Sequence, residues 1–196
     1  MLRYPSDKMR VYVIDNGGQW THREWRVLKY LDVDAEIVPN TTPVDKLRDA
    51  DALVLSGGAP SIAYEKHKLG NQGLYLEELN VPILGICVGA QFIAEHFGGK
   101  SSAAKYPEYG KTEIFIDDHD EIFYGLPDSF IAWESHNDEI KELGSELIAL
   151  AHSKNCRFQA IKHKTKPVYG VQFHPEVQHT EHGEEIFRNF LAMAKR

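Results

Sequence analysis

The sequence predicts an α/β fold: a doubly wound, mostly parallel central sheet flanked by helices, with a strand-rich second half. Three observations carry that expectation. Short apolar runs of strand length alternate with segments of helical periodicity up to Gly98 and Gly99. Turn or cap signals follow these early runs. After Gly99 the helical segments stop, and strand-like runs follow one another until an amphipathic stretch closes the chain. Apolar runs separated by helices require right-handed crossovers and a parallel sheet covered on both faces.

The elements follow in order. Val11 to Ile14 is a buried strand; Asn16, Gly17 and Gly18 make the turn; Trp25, Leu28 and Leu31 recur at helical spacing. Glu36 to Val38 reads as a second strand. Thr42 is then placed to cap a brief helix from Val44 to Asp49, with Pro43 at its first position, where no N–H is needed. Leu53 to Leu55 is a third strand, ended by the turn Ser56 to Ser61. Leu74 to Leu79 has helical spacing, and Pro82 to Cys87 is a fourth strand that runs into a helix ending near Phe97. Gly98 and Gly99 can stop that helix by adopting positive φ. In the second half, Glu113 to Ile116, Glu121 to Phe123, Phe130 to Trp133, Leu147 to Ala151, Phe158 to Lys162 and Val168 to Phe173 read as strands. Ile186, Phe187, Phe190 and Leu191 form the apolar stripe of a final helix.

Composition bounds the function. The chain has 196 residues, 42% hydrophobic and 26% charged, which suits one well-packed domain over residues 9–196 with a polar extension at 1–8 held loosely outside the core. A formal net charge of −7 repels a polyanion, which disfavours nucleic acid and anionic membranes as partners. Two cysteines, Cys87 and Cys156, make no disulfide framework and sit in no zinc-type spacing. With no apolar run near ~18 residues and no secretion signal, the expected location is cytoplasmic. His179 and His182 lack a third ligand in the sequence, so no metal site is assigned to them.

The chemistry concentrates in three segments. Gly85-Ile86-Cys87-Val88-Gly89 leaves a strand and enters a helix, the layout of a nucleophile elbow. Side chains two residues before and after such a turn would meet crossing backbone, and here both positions are glycine. The helix N-terminus offers unpaired N–H groups and a positive dipole end that favour a thiolate at Cys87, and the Val88 N–H points where an oxyanion would form. Taken alone, Cys87 is equally readable as a small residue ending a buried strand. The second segment is the strand Val168 to Phe173, which delivers His174 at its end with Glu176 two residues on. A cysteine nucleophile needs a base, and the base needs an orienting acceptor, so Cys87, His174 and Glu176 fill three complementary roles. The third is the Ser56 to Ser61 turn at the carboxyl end of its strand, where parallel sheets collect ligands; Gly58 can offer a second oxyanion N–H, or the segment is an ordinary tight turn.

With GICVGAQ at 85–91, SGGAPS at 56–61 and VQFHPE at 171–176, the chain resembles the class I (triad) glutamine amidotransferases, whose fold is flavodoxin-like. The resemblance implies hydrolysis of the glutamine side-chain amide. Cys87 would attack the carboxamide, Val88 and Gly58 N–H groups would hold the oxyanion, and His174 would protonate departing ammonia before water cleaves the glutamyl thioester. Gln91 would help to hold the substrate. Within that family DNGGQW at 15–20, EYGKTEI at 108–114 and WESHND at 133–138 are most similar to the glutaminase part of GMP synthases. That likeness implies that Ser135, Asn137 and Asp138 grip the amino-acid end of glutamine.

Two departures stand out: Asn137 occupies a position where the family segment more often has glycine, and Ala59 lengthens the SGG loop. The sequence carries no ATP pyrophosphatase region, so the resemblance implies that ATP and magnesium belong to a separate ATP pyrophosphatase subunit that aminates xanthosine monophosphate, and that this chain holds no cofactor. Low activity of the unpartnered chain is a further expectation. The competing readings are the glutaminase of another amidotransferase (anthranilate or aminodeoxychorismate synthase, carbamoyl-phosphate synthetase), a hydrolase or peptidase of the same broad fold, and a silent regulatory module.

Overall fold

Residues 8–194 are described by the computed structural model; the expected extension at 1–8 lies outside them except for Lys8, which is exposed and ion-paired with Asp32. The elements run β1 (Arg10–Asn16), α1 (Thr21–Tyr30), β2 (Asp34–Pro39), β3 (Ala52–Gly58), α2 (Ile62–Glu65), α3 (Gln72–Glu78), β4 (Ile83–Ile86), α4 (Val88–His96), β5 (Lys100–Ile116), β6 (Ser129–Glu142), β7 (Leu147–His152), β8 (Ala160–His163), β9 (Val168–Val171) and α5 (Gly183–Met193). Short 3₁₀ turns occupy Val44–Leu47, Lys66–Leu69 and Glu121–Phe123.

The nine strands of the described residues form one mixed sheet in the order β2-β1-β3-β4-β9-β8-β7-β5-β6. The strands β2, β1, β3, β4 and β9 are parallel neighbours, while every pairing beyond β9 is antiparallel. Alternate residues of β1 feed two cores: Val11 and Val13 join Leu28 of α1 and Phe187 and Phe190 of α5, while Tyr12 and Ile14 join Tyr75 of α3 and Ile93 of α4. The parallel part is therefore wound on both faces, as its uninterrupted apolar strands require. Of the described residues, no helix is long and apolar enough to cross a membrane.

Several expected elements change in extent or kind. The runs 113–116 and 130–133 are pieces of one long ribbon, β5 with β6, whose register slips between Ala103 and Glu108. Polar residues hide its length, because much of the ribbon faces solvent and needs no apolar alternation. Glu121 to Phe123 is a 3₁₀ turn instead of a strand: Ile122 and Phe123 are fully buried, and Asn189 of α5 donates to the Ile122 carbonyl at 3.0 Å. The apolar pair there fills a core pocket without pairing to a neighbour strand. Thr42 does not cap the helix after it. Its hydroxyl donates back to the Pro39 carbonyl at 2.6 Å, Pro43 takes the capping position, and the segment shrinks to the 3₁₀ turn 44–47. The short helix α2 and the 3₁₀ turn after it have no counterpart among the expected elements.

The free edge of β6 is not left bare. The segment after β9 lies along it: the His174 N–H donates to the Trp133 carbonyl at 2.9 Å and the Glu181 N–H to the Ile131 carbonyl at 2.8 Å. The Thr180 hydroxyl donates to the His174 carbonyl at 2.6 Å and accepts from the Trp133 N–H at 2.9 Å. This strap satisfies edge groups that would otherwise be open to other chains. It also brings residues 133–138 over the carboxyl ends of β3, β4 and β9.

Candidate active site

Cys87 stands between the last residue of β4 and the first of α4 with φ +52°, a left-handed conformation that a non-glycine residue adopts only when its surroundings enforce it. Its N–H is held by the Val171 carbonyl at 2.8 Å. A Cβ on Gly85 would lie 2.6 Å from the Gly89 backbone, and one on Gly89 would lie 2.4 Å from the Leu55 carbonyl oxygen. The two glycines expected from the elbow pattern are thus required by close backbone approach. Val88 is the first residue of α4, so its N–H has no intrahelical acceptor. Gly58 ends β3 and forms an antiparallel bridge with Gly17, stitching the 56–61 loop to the first turn after β1.

His174 and Glu176 follow β9. The imidazole Nδ1 lies 2.7 Å from Glu176 Oε1, and both side chains are buried. Burial by itself pulls an imidazole's proton affinity down, but the Glu176 charge and hydrogen bonds with Cys87 and Glu176 raise the His174 pKa well above its ordinary value. Trp20 presses edge-on against the ring, with centroids 4.5 Å apart. The three residues singled out for chemistry therefore converge, though they come from strands that the sequence separates by more than eighty residues.

These groups open onto a cavity of about 390 Å³ whose opposite wall is the 135–138 segment. The Cys87 thiol points at the Ser135 carbonyl, 3.9 Å away. Gln91 donates to the Asp138 carbonyl at 2.8 Å and to Gln172 Oε1 at 3.0 Å, while Gln172 Nε2 approaches Cys87 Sγ at 3.5 Å. Asp138 accepts from the Ser61 hydroxyl at 2.6 Å, and exposed Asn137 accepts from the Tyr109 hydroxyl. Gln91, Ser135, Asn137 and Asp138 all line the cavity, as do Gly58 and Val88.

Sequence reasoning missed four contributors. Glu24 and Tyr109 line the cavity and Gln172 touches the thiol. His136 sits inside a polar cluster behind the wall, with Nδ1 2.9 Å from the Asp138 carbonyl and Nε2 2.9 Å from Glu108 Oε2. The available signal for Glu24 was its place on the apolar stripe of α1, between Thr21 and Leu28. Tyr109 and His136 face each other's strands only through the ribbon register, which the sequence does not announce.

The Glu108, His136 and Cys156 donors lie within 4.8 Å of one another, a set able to hold a divalent ion. Here both Glu108 oxygens already accept hydrogen bonds, from Ser153 at 2.6 Å and Gln159 at 2.8 Å, so the cluster acts as a strut for the 133–138 wall. Burial pushes the Cys156 thiol up, consistent with packing instead of reactivity. Beside it, Glu134 is fully buried with neither carboxylate oxygen hydrogen-bonded, and burial together with the Glu108 charge raises its carboxyl well above the usual range. His179 is exposed against Trp133, and His182 precedes α5 in a left-handed conformation.

Comparison with known proteins identifies the family. The family described as glutamine amidotransferase class-I matches residues 12–194. The chain is 56% identical over 188 residues to a glutamine-hydrolysing GMP synthase subunit of Thermoplasma volcanium, covering 96% of this chain and 93% of that protein. It is 55% identical to the corresponding GMP synthase subunit of Picrophilus torridus, covering 96% and 100% respectively. A solved structure from Thermoplasma acidophilum, described as a GMP synthase subunit, superposes with a TM-score of 0.93 at 53% identity, covering 96% of this chain and 95% of that one. A glutamine amidotransferase structure from Thermotoga maritima, at 20% identity and a TM-score of 0.74 over 87% of this chain and 77% of its own, shares the fold. This chain belongs to the class-I glutamine amidotransferases.

Proposed function

We propose that this chain is the glutaminase subunit of a two-subunit GMP synthase, hydrolysing glutamine to glutamate and ammonia through Cys87, His174 and Glu176. The observation that carries the chemistry is the buried His174–Glu176 contact of 2.7 Å next to a cysteine held at a strained strand-to-helix turn. The pathway assignment is supported by relatives named as glutamine-hydrolysing subunits of GMP synthase that match nearly the whole chain.

In this reading the Cys87 thiol gives its proton to His174 and Sγ attacks the carboxamide carbon of glutamine, forming a C–S bond while the carbonyl oxygen becomes an oxyanion facing the Val88 and Gly58 N–H groups. The raised proton affinity of His174 keeps a proton on the imidazole, which passes to the amide nitrogen as the C–N bond breaks and ammonia leaves. Water, deprotonated by His174, then adds to the glutamyl thioester; the C–S bond breaks and the thiol is regenerated. Glu176 orients the imidazole and compensates its charge in both half-reactions. Gln91, Ser135, Asn137 and Asp138 hold the amino-acid end of glutamine. Ammonia then reaches a separate ATP pyrophosphatase subunit that uses ATP and magnesium to aminate xanthosine monophosphate. The glutaminase chain holds no cofactor, works as one domain and is cytoplasmic.

The test is glutamate release from glutamine by the chain alone and mixed with that partner, xanthosine monophosphate, ATP and magnesium. Activity confined to the mixture, with GMP formed and both lost in Cys87→Ala, supports the reading. Hydrolysis indifferent to the mixture keeps the glutaminase and removes the pathway assignment.

A further inference from the structure

Glu24 has no part in the reaction just described, yet it is only 1% exposed. Thr21, Glu24 and Leu28 are the buried residues of α1, at i, i+3 and i+7 of one stripe, so a carboxylate stands where the fold calls for an apolar side chain. Its Oε1 accepts the Gly57 N–H at 3.2 Å. Its Oε2 is buried without a hydrogen-bond partner, and the same holds for Oε2 of Glu176, whose other oxygen meets His174. Glu24, Gly57, His174 and Glu176 border one cavity, and the charges of Glu24 and Glu176 act on each other. Two buried carboxylates that act on each other resist ionising together, and one proton held between them would satisfy both orphan oxygens.

We propose that Glu24 is a positioning residue whose Oε1 fixes the Gly57 peptide and whose Oε2 shares one proton with Oε2 of Glu176. The inference rests on the glutaminase reading and adds to it a tie between the orienting acceptor of the base and the loop that carries Gly58. One side chain then keeps the imidazole and the oxyanion donors at a common spacing. Burial raises the Glu24 carboxyl well above the usual range, and the charges of Glu176 and Asp15 raise it further against the opposing effects of the Gly57 N–H and His174. Those are the groups that face it: Asp15 from β1, Gly57 from β3, and His174 and Glu176 from the segment after β9. When pH climbs through the raised value the shared proton leaves, the carboxylates repel, and the alignment is lost.

The experiment compares wild type, Glu24→Gln and Glu24→Leu in the assembled enzyme, with ¹³C carboxyl NMR of glutamate-labelled chain alongside. Glutamine keeps both bonds without a titrating proton, since its amide N–H donates to Glu176 and its oxygen accepts from Gly57. Expected are a kcat within about threefold of wild type and a flatter alkaline limb for Glu24→Gln, and a kcat about 30-fold lower with little change in KM for Glu24→Leu. Ammonia-driven GMP formation stays equal in all three. A wild-type kcat and pH profile in Glu24→Leu overturns the proposal, as does NMR showing both carboxyls ionised at neutral pH. Should Glu24→Leu fail to fold, the Glu24→Gln profile and the NMR titration decide. Failure of the glutaminase reading shows itself differently, as absence of glutamate release by wild type, and the carboxyl titration still reads the shared proton.

Discussion

The two halves of the sheet build the site by different means. The parallel half holds Cys87 by backbone: glycines packed without room for a Cβ, a strained φ at Cys87, and a Cys87 N–H held by the Val171 carbonyl. In the antiparallel half the 135–138 wall is held by side chains, through a buried cluster of Glu108, His136, Ser153 and Gln159, with the Glu134 carboxyl beside it 3.6 Å from His136 Nε2. Attack geometry at a reacting carbon tolerates little displacement, which favours a backbone-built nucleophile. Substrate grip tolerates adjustment, and a wall on polar struts can differ between relatives.

If that contrast holds, the largest effect of a small substitution falls in the parallel half. Gly89→Ala drives a Cβ into the Leu55 carbonyl, 2.4 Å away, and neither partner can yield. A loss of about 3 kcal/mol or failure to fold is expected, read by thermal unfolding. Next comes Glu176→Gln, which removes the charge that raises His174. Glutaminase kcat should fall roughly 100-fold with the fold intact, and histidine NMR should show a lower proton affinity at His174.

Glu134 sharpens the comparison from the other side, because a wall that buries a carboxyl without a hydrogen bond, with only His136 Nε2 at 3.6 Å to face it, has given up stability. Its raised carboxyl binds a proton that the unfolded chain releases near pH ~4.3. The native state is therefore at no disadvantage below that value and loses stability as pH rises through the raised value. Glu134→Met should stabilise by about 1–2 kcal/mol in mild alkali, with the gain fading toward pH ~4, as measured by denaturant titration across pH. The smallest effect belongs to the rim. Tyr109→Phe breaks one exposed hydrogen bond, to Asn137, so stability should move by less than about 0.5 kcal/mol and KM for glutamine by no more than about threefold.

The legibility of the molecule follows the same division. The order of the strands through β4 is readable because two-sided burial demands continuous apolar runs, and the elbow because a close backbone approach demands glycine at two set positions. The long β5–β6 ribbon reads as two fragments, since one face in solvent frees half its residues from any pattern. Ile122 and Phe123 read as a strand because two apolar neighbours look alike whether they pair or plug a pocket.

Local sequence chemistry was enough to single out Cys87, His174 and Glu176 as candidates, because each sits at or just after the end of an element whose signal is confined to a few neighbouring residues. Their meeting at one cavity was decided by sheet order, which sets β9 beside β4 although the ribbon and two further strands intervene in the chain. Glu24 and the Glu108–His136 strut belong entirely to that second level. A charged residue announces neither its burial nor its partner until helix packing and strand register bring the two together, since electrostatic pairing acts through distance in space and leaves no period in the sequence.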